Sequence, residues 1–312
     1  MRFYSILIIT IVGLVCMNKY YKDIDVKAKK MGIFLVKSFV YLLNLNLKVE
    51  KPDSLFHLKD KVIMIANHQN YFDWVYLLEY LISENRHDYT FIFKKEICGL
   101  PLMGDILYKK HIYVERDLQK DIVNIKNQIE KLGDKYIIII FPEGTFSDCS
   151  DYRRFSNDYL KLIGKDKMYY CLSPKYNGLK LLMDNIPHEQ IIDSTLIYPE
   201  NYPKNYEENI LATSASSLLL DQYPRECILK LKEVNIKIDN IKSELIDIFI
   251  EKDKEMKKFY NNNSKKYMSP YKILSQNFII LITLLIIFKN LKYINRFINR
   301  INSVNELNNI NC

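Results

Sequence analysis

Val62-Ile-Met-Ile-Ala-Asn-His-Gln-Asn-Tyr-Phe-Asp-Trp74 sets a short apolar run directly before a polar pair, His68 and Asp73. Val62 to Ala66 is rich in β-branched residues and follows the charged turn Lys59-Asp60-Lys61, so it reads as a buried strand that Asn67 ends. On one continuous helix His68 and Asp73 would stand about 140° apart around the axis and could not meet. The chain therefore has to bend between them. A strand end, a tight turn and a helix that opens near Asp73 and runs through Leu81 bring the two side chains together. An aspartate in a first helical turn is also favoured by the helix dipole.

An imidazole can take a proton from a hydroxyl only if its other nitrogen keeps its own, and a carboxylate holding that second proton fixes the tautomer. His68 is then a candidate general base and Asp73 its orienter. The alternative is a surface histidine beside a helix-capping aspartate, the ordinary explanation for an isolated H-x4-D. The rest of the chain decides between them.

With 312 residues, 48% of them hydrophobic, the chain suits one large domain or two small ones with a substantial core. It carries 45 Lys and Arg against 37 Asp and Glu, a net +8 that is spread rather than clustered. That balance favours an acidic membrane surface or an anionic small substrate. No basic helix or aromatic RNA-binding pattern is present, so no nucleic-acid partner is expected. The six cysteines, Cys16, Cys98, Cys149, Cys171, Cys227 and Cys312, form no C-x-x-C and no zinc-finger spacing. Neither a metal nor a redox pair is expected, and free thiols in a reducing compartment are the simplest account.

Apolar segments flank the middle of the chain. Phe3 to Met17 is broken only by Ser5, Thr10 and Gly13 and lacks a good cleavage site, so an uncleaved anchor helix is expected. Lys19, Lys22, Lys27, Lys29 and Lys30 follow it, against Arg2 alone before, which would place the rest of the chain on the cytosolic side. Met31 to Leu47 is a second helix-compatible stretch, with Leu35, Phe39, Leu42 and Leu43 near helical spacing. Periodicity leaves open whether it lies in the membrane interface or packs on the domain. Phe278 to Phe288 is uncharged throughout and is expected to be a second membrane segment, spanning or re-entrant. Three regions result: an anchor with interfacial helix over 1–50, a domain over 51–260, and a membrane segment with tail over 261–312.

Within the middle region strands alternate with helices. Tyr89 to Phe93 reads as a strand, followed by a segment in which Pro101 and Gly104 forbid a long helix. His111 to Asp117 gives a strand ending on Arg116, and Leu118 to Leu132 a helix with Ile122, Ile125 and Ile129 on one side. Lys135 to Pro142 is an apolar strand of the kind buried on both faces. Cys227 to Ile250 reads as a strand and then a helix, and Glu251 to Lys266 as a solvated helix end or linker. The pattern predicts an α/β fold with a mostly parallel or mixed sheet flanked by helices. Function gathers at the carboxyl ends of strands in such sheets, where Asn67-His68, Arg116 and Glu143 are expected. The strand ending on Arg116 should lie beside those that present His68 and Glu143. In Pro142-Glu-Gly-Thr145 the glycine would let backbone amides approach an anion, while Glu143 could fix a cationic or hydroxyl partner.

The ordered pair NHQNYFD and FPEGT resembles the motifs of the glycerolipid acyltransferase family, which includes the 1-acylglycerol-3-phosphate acyltransferases. Tyr113-Val-Glu-Arg116 resembles the family's motif ending on a phosphate-binding arginine, and Thr195-Leu-Ile-Tyr-Pro199 its final proline-bearing motif. Lys95-Glu-Ile with Pro101 and Gly104 looks like the spacer between the first two motifs. The resemblance covers roughly residues 60–200. Asp73-Trp74 and Pro174-Lys-Tyr-Asn-Gly178 look most like the eukaryotic lysocardiolipin and lysophosphatidylinositol acyltransferases. Tyr71-Phe72 and Phe146 depart from the pattern at positions that line the acceptor site in such enzymes.

The resemblance implies the glycerolipid acyltransferase fold and transfer of a fatty acyl group from acyl-CoA, as co-substrate, to a lysophospholipid hydroxyl. No further cofactor is implied. Lysophosphatidic acid is the first candidate acceptor, with lysophosphatidylinositol and lysocardiolipin as alternatives. His68 and Asp73 would be catalytic. Lys95 and Arg116 would bind the acceptor phosphate, and Glu143, Gly144, Thr145 and Pro199 would shape its site. The expected setting is the endoplasmic reticulum membrane with the domain facing the cytosol. Two rivals remain: a non-catalytic lipid-binding module, which would be expected to have lost His68 or Asp73, and a serine hydrolase, for which no G-x-S-x-G occurs.

Overall fold

The computed structural model describes residues 24–53, 57–70, 72–95, 111–115, 118–129, 132–145, 150–199 and 224–263. In chain order the elements are α1 (Ile24–Leu43), β1 (Asn46–Glu50), β2 (Lys61–Ala66), α2 (Asp73–Ser83), β3 (Tyr89–Lys94), β4 (Ile112–Val114) and α3 (Leu118–Ile129). They continue with β5 (Tyr136–Ile140), α4 (Ser150–Leu162), α5 (Tyr176–Asn185), β6 (Gln190–Ile197), β7 (Glu226–Val234) and α6 (Ile241–Asn263), the last entered through a 3-10 turn at Ile238–Asn240.

The seven strands form one sheet in the order β1-β7-β6-β2-β5-β3-β4. From β6 to β4 all neighbours run parallel, whereas β7 is antiparallel to β6 and parallel to β1. The sheet is therefore mixed, as the alternation of elements predicts. β2, β5 and β6 form its centre, and helices cover both faces. Val62, Met64 and Ala66 meet α1 and α2 in one apolar cluster. Ile63 and Ile65 face the opposite cluster, which contains Leu160, Leu179, Leu182, Leu245 and Phe249. Alternate side chains on opposite faces explain why these strands read as unbroken apolar runs.

Met31 to Leu47, left open by periodicity, packs on the domain. Val36, Leu43 and Leu45 are buried in the α2 face of the core, and Phe39 meets Trp74 edge-on with ring centroids 5.8 Å apart. Among the described residues no helix is long and apolar enough to cross a membrane. The two expected membrane segments, Phe3 to Met17 and Phe278 to Phe288, lie outside the described residues.

Two expectations are corrected. β4 is the edge strand, with β3 between it and β5, so the strand leading to Arg116 does not lie beside those of His68 and Glu143. The sequence of β4 alone could not reveal this, because strand order is set by long-range pairing. The stretch from Glu251 is also no solvated helix end. α6 continues to Asn263, and Lys252, Asp253, Met256 and Tyr260 are buried on the face that packs beneath the sheet.

Candidate active site

The chain leaves β2 at Asn67, and the Asn67 side chain takes over the strand's hydrogen bonding. Its Nδ2 donates to the Leu196 carbonyl at 3.0 Å, while its Oδ1 accepts from the Leu196 N–H at 2.7 Å. The side-chain amide thus imitates one more residue of the ladder and frees the backbone to turn. The turn then closes around Asp73. One carboxylate oxygen, Oδ2, accepts from the His68 ring at Nδ1 (2.8 Å), the Gln69 N–H (2.7 Å) and the Asn70 N–H (3.1 Å). Asn70 Oδ1 accepts the Phe72 N–H at 2.7 Å, which completes the entry to α2.

These bonds decide against the surface-histidine reading. Asp73 is fully buried, and the bonds of its carboxylate run back to residues 68–70. Its other oxygen, Oδ1, accepts the Tyr198 hydroxyl at 2.5 Å from just past the end of β6. The His68 side chain keeps 22% exposure and stacks on Phe141, centroids 4.4 Å apart. With Nδ1 bonded to Asp73, a proton taken from a bound hydroxyl would go to Nε2.

Glu143 fixes the backbone that carries His68. It is 2% exposed, and its two oxygens accept the His68 N–H and the Leu172 N–H, each at 2.8 Å. Burial pushes its carboxyl up to about 8 and the charge of Asp73 adds to that, while the two N–H donors and Lys252 pull it down. Glu143 therefore pins the turn at His68 to the loop at Leu172. Gly144 closes the turn through its N–H to the Phe141 carbonyl (3.1 Å) with φ +71, a left-handed conformation suited to glycine. A Cβ there would also lie 3.5 Å from Lys175 Nζ, so the turn passes close beneath that ammonium. Thr145 follows, half-buried, and Pro199 is buried behind Tyr198.

The sheet register brings further candidates level with His68. Met64 pairs with Ile139, Ile139 with Phe91, and Lys94 with Val114. Counting forward along each strand, His68, Glu143, Lys95 and Glu115 all stand at one height on the carboxyl edge. Lys95 is half-exposed and pairs with Glu115 at 2.6 Å. Arg116 lies outside the described residues.

A half-buried histidine held by a buried carboxylate, at the carboxyl edge of parallel strands, is where the sequence motifs converge. Residues 46–170 match the model of a protein family described as Acyltransferase. Over this segment the chain is similar to that family. A 2-acyl-1-lysophosphatidylinositol acyltransferase of Saccharomyces cerevisiae is 24% identical, over 80% of this chain and 79% of its own length. The 1-acyl-sn-glycerol-3-phosphate acyltransferase epsilon of Mus musculus is 24% identical over 65% of this chain and 59% of its own. The crystal structure of the 1-acyl-sn-glycerophosphate (LPA) acyltransferase PlsC from Thermotoga maritima covers 86% of this chain and 100% of that one, with 17% identity and a TM-score of 0.44.

The site also uses residues that the sequence did not single out, several of them beyond the matched segment. Asp253 Oδ1 accepts three successive N–H groups, those of Tyr169 (2.7 Å), Tyr170 (2.5 Å) and Cys171 (2.9 Å). The next N–H, of Leu172, goes to Glu143. Two buried carboxylates thus hold one loop, and Gln69 Nε2 ties the His68 turn to it through the Tyr170 carbonyl at 2.7 Å. Lys252 pairs with Asp193 at 2.5 Å and donates to the Ser194 carbonyl at 2.6 Å. A signal for Lys252 was present: it occupies the 3-and-4 spacing of Ile241, Leu245, Phe249, Met256 and Tyr260, where an apolar residue belongs. Tyr198 stands inside the proline-bearing motif, one residue before Pro199. Among the described residues no group of three or more His, Cys, Asp or Glu is placed to hold a metal ion.

Proposed function

We propose that the protein transfers a fatty acyl group from acyl-CoA to the free hydroxyl of a lysophospholipid, with lysophosphatidic acid the acceptor and phosphatidic acid the product. The observation that carries this is the His68–Asp73 pair: an imidazole whose Nδ1 is held at 2.8 Å by a buried, multiply hydrogen-bonded carboxylate. Nε2 takes the acceptor hydroxyl proton as the oxygen attacks the thioester carbonyl. Collapse of the tetrahedral adduct breaks the C–S bond, and the imidazolium returns its proton to the departing thiolate of CoA. Burial pushes the Cys171 and Cys227 thiols well above their ordinary range, which disfavours a cysteine acyl-enzyme.

In this reading Arg116 and Lys95 bind the acceptor phosphate. Lys95 stands at the level of His68, and β4 lies three strand spacings from β2, roughly 14 Å. That span suits a small headgroup whose phosphate lies toward β4 and whose hydroxyl sits at His68. Phe3 to Met17 and Phe278 to Phe288 hold the enzyme in the endoplasmic reticulum membrane, with the domain on the cytosolic face. A second acceptor, lysophosphatidylinositol, is favoured by the yeast relative that aligns with 80% of this chain.

The test is purified full-length protein with labelled oleoyl-CoA and a panel of lysophospholipids. Transfer to lysophosphatidic acid above the other acceptors supports the proposal, and transfer to none overturns it. Arg116→Ala should raise the acceptor KM about tenfold, the loss expected for one charge-assisted phosphate contact. A defect confined to the acyl-CoA titration would remove Arg116 from the acceptor site.

A further inference from the structure

We infer that Tyr198 is a positioning residue of the His68–Asp73 pair: its hydroxyl, donated to Asp73 Oδ1, sets how strongly Asp73 holds the proton on His68. Asp73 uses the two oxygens of its carboxylate differently. Oδ2 carries the His68 ring and two backbone N–H groups, whereas the bond to Oδ1 comes from Tyr198 at 2.5 Å. A phenol hydroxyl on a carboxylate at that distance is a charge-assisted bond, of the stronger class. It draws negative charge toward Oδ1, away from the oxygen that faces the imidazole. Less negative charge then faces the imidazole than an unrestrained carboxylate would present.

The tyrosine is built to hold that hydroxyl in place. Its side chain is fully buried, its ring tilts against Tyr76 of α2 at 5.7 Å, and its backbone carbonyl accepts the Tyr260 hydroxyl of α6 at 3.2 Å. It lies two residues beyond Leu196, whose backbone Asn67 grips, so one clasp between β2 and β6 sets the height of both His68 and Tyr198. Burial and the Asp73 charge push the Tyr198 phenol well above its ordinary range, so it stays a proton donor. Phenylalanine would fill the same space, so packing alone gives no reason for the hydroxyl. The titratable groups facing the pair are Glu143 after β5, Tyr76 on α2, Cys227 on β7 and Tyr260 on α6, with Lys252 acting on Glu143.

The test reads His68 directly in the full-length protein, without substrate. The rate of diethyl pyrocarbonate modification at His68 is followed against pH by peptide mass spectrometry. Tyr198→Phe should move the midpoint up by about half a pH unit or more, the scale of one lost hydrogen bond. Tyr76→Phe, which loses an equally buried hydroxyl bonded to the Pro224 carbonyl at 3.1 Å, should leave it unchanged. An unmoved midpoint in Tyr198→Phe overturns the inference, as does an equal shift in Tyr76→Phe. Should Tyr198→Phe not fold, 3-fluorotyrosine at 198, a stronger donor of nearly the same shape, should lower the midpoint; no shift or an upward one overturns the inference.

The inference rests on the acyl-transfer reading only in its kinetic arm. There Tyr198→Phe should lower kcat with both KM values within about twofold, and move the acid limb of the pH profile upward with the chemical midpoint. If the wild type transfers no acyl group, the proposed function fails while the His68 titration still decides the role of Tyr198.

Discussion

Asp73→Asn separates the two services the carboxylate gives to His68. The amide is close to isosteric, and its oxygen placed at Oδ2 can still accept the His68 Nδ1–H together with the Gln69 and Asn70 N–H groups. Its NH2 then faces the Tyr198 hydroxyl, which can turn to accept. Geometry and tautomer are retained, and only the charge is lost. At 2.8 Å, with an effective dielectric of about 20, a carboxylate and a full imidazolium attract by roughly 6 kcal/mol. If about half the charge has developed at the transition state, ~3 kcal/mol is forfeited, or about a hundredfold in kcat at 1.4 kcal/mol per decade. The assay is steady-state acyl transfer with the two KM values determined separately, alongside a thermal melt to show the fold is retained. A well-folded Asp73→Asn protein with more than about a third of wild-type kcat would refute the reasoning and reduce Asp73 to a device for building the turn.

His68→Ala should cost at least about a hundredfold in turnover, the low end of general-base contributions, with little loss in Tm because the ring lies at the rim of the site; near-normal turnover would exclude it as base. For Glu143, burial raises the folded carboxyl to about 8 from 4.5, so its stability contribution is complete below about pH 4.5 and is lost as pH rises through 8. Melts from pH 6 to 9 should therefore fall more steeply for wild type than for Glu143→Gln, which has no proton to lose there, and parallel slopes would show that Glu143 does not titrate in this window. Gly144→Ala should lower stability by about 1–2 kcal/mol, the penalty of a left-handed residue with a Cβ, and denaturant unfolding with an unchanged midpoint would contradict the strained turn.

The His68–Asp73 contact was legible because it follows from local rules. A five-residue spacing cannot close on a helix, so a strand end and a turn had to lie between, and the apolar run before Asn67 supplied the strand. Val62–Ala66, Tyr89–Phe93 and Tyr136–Ile140 declared themselves by β-branched composition and by burial on both faces. The helix opening at Asp73 and that over Leu118–Ile129 followed from apolar spacing. Each of these signals lies within about a dozen residues, the range over which side-chain periodicity reports which face is covered.

What sequence could not supply was anything that depends on which elements meet. β4 is at the edge and β7 runs against β6 because pairing is chosen between strands far apart in the chain, and no residue in β4 records its neighbour. Tyr198 reaches Asp73 across 125 positions, and Asp253 reaches Tyr170 across 83. Lys252 and Asp253 lie in a run of charges whose default is solvent, and only the packing of α6 under β2 and β6 removes them from it. The local chain thus determined that His68 and Asp73 meet. The tertiary structure decided what holds that pair in place, because buried polar groups find their partners through folding rather than through sequence proximity.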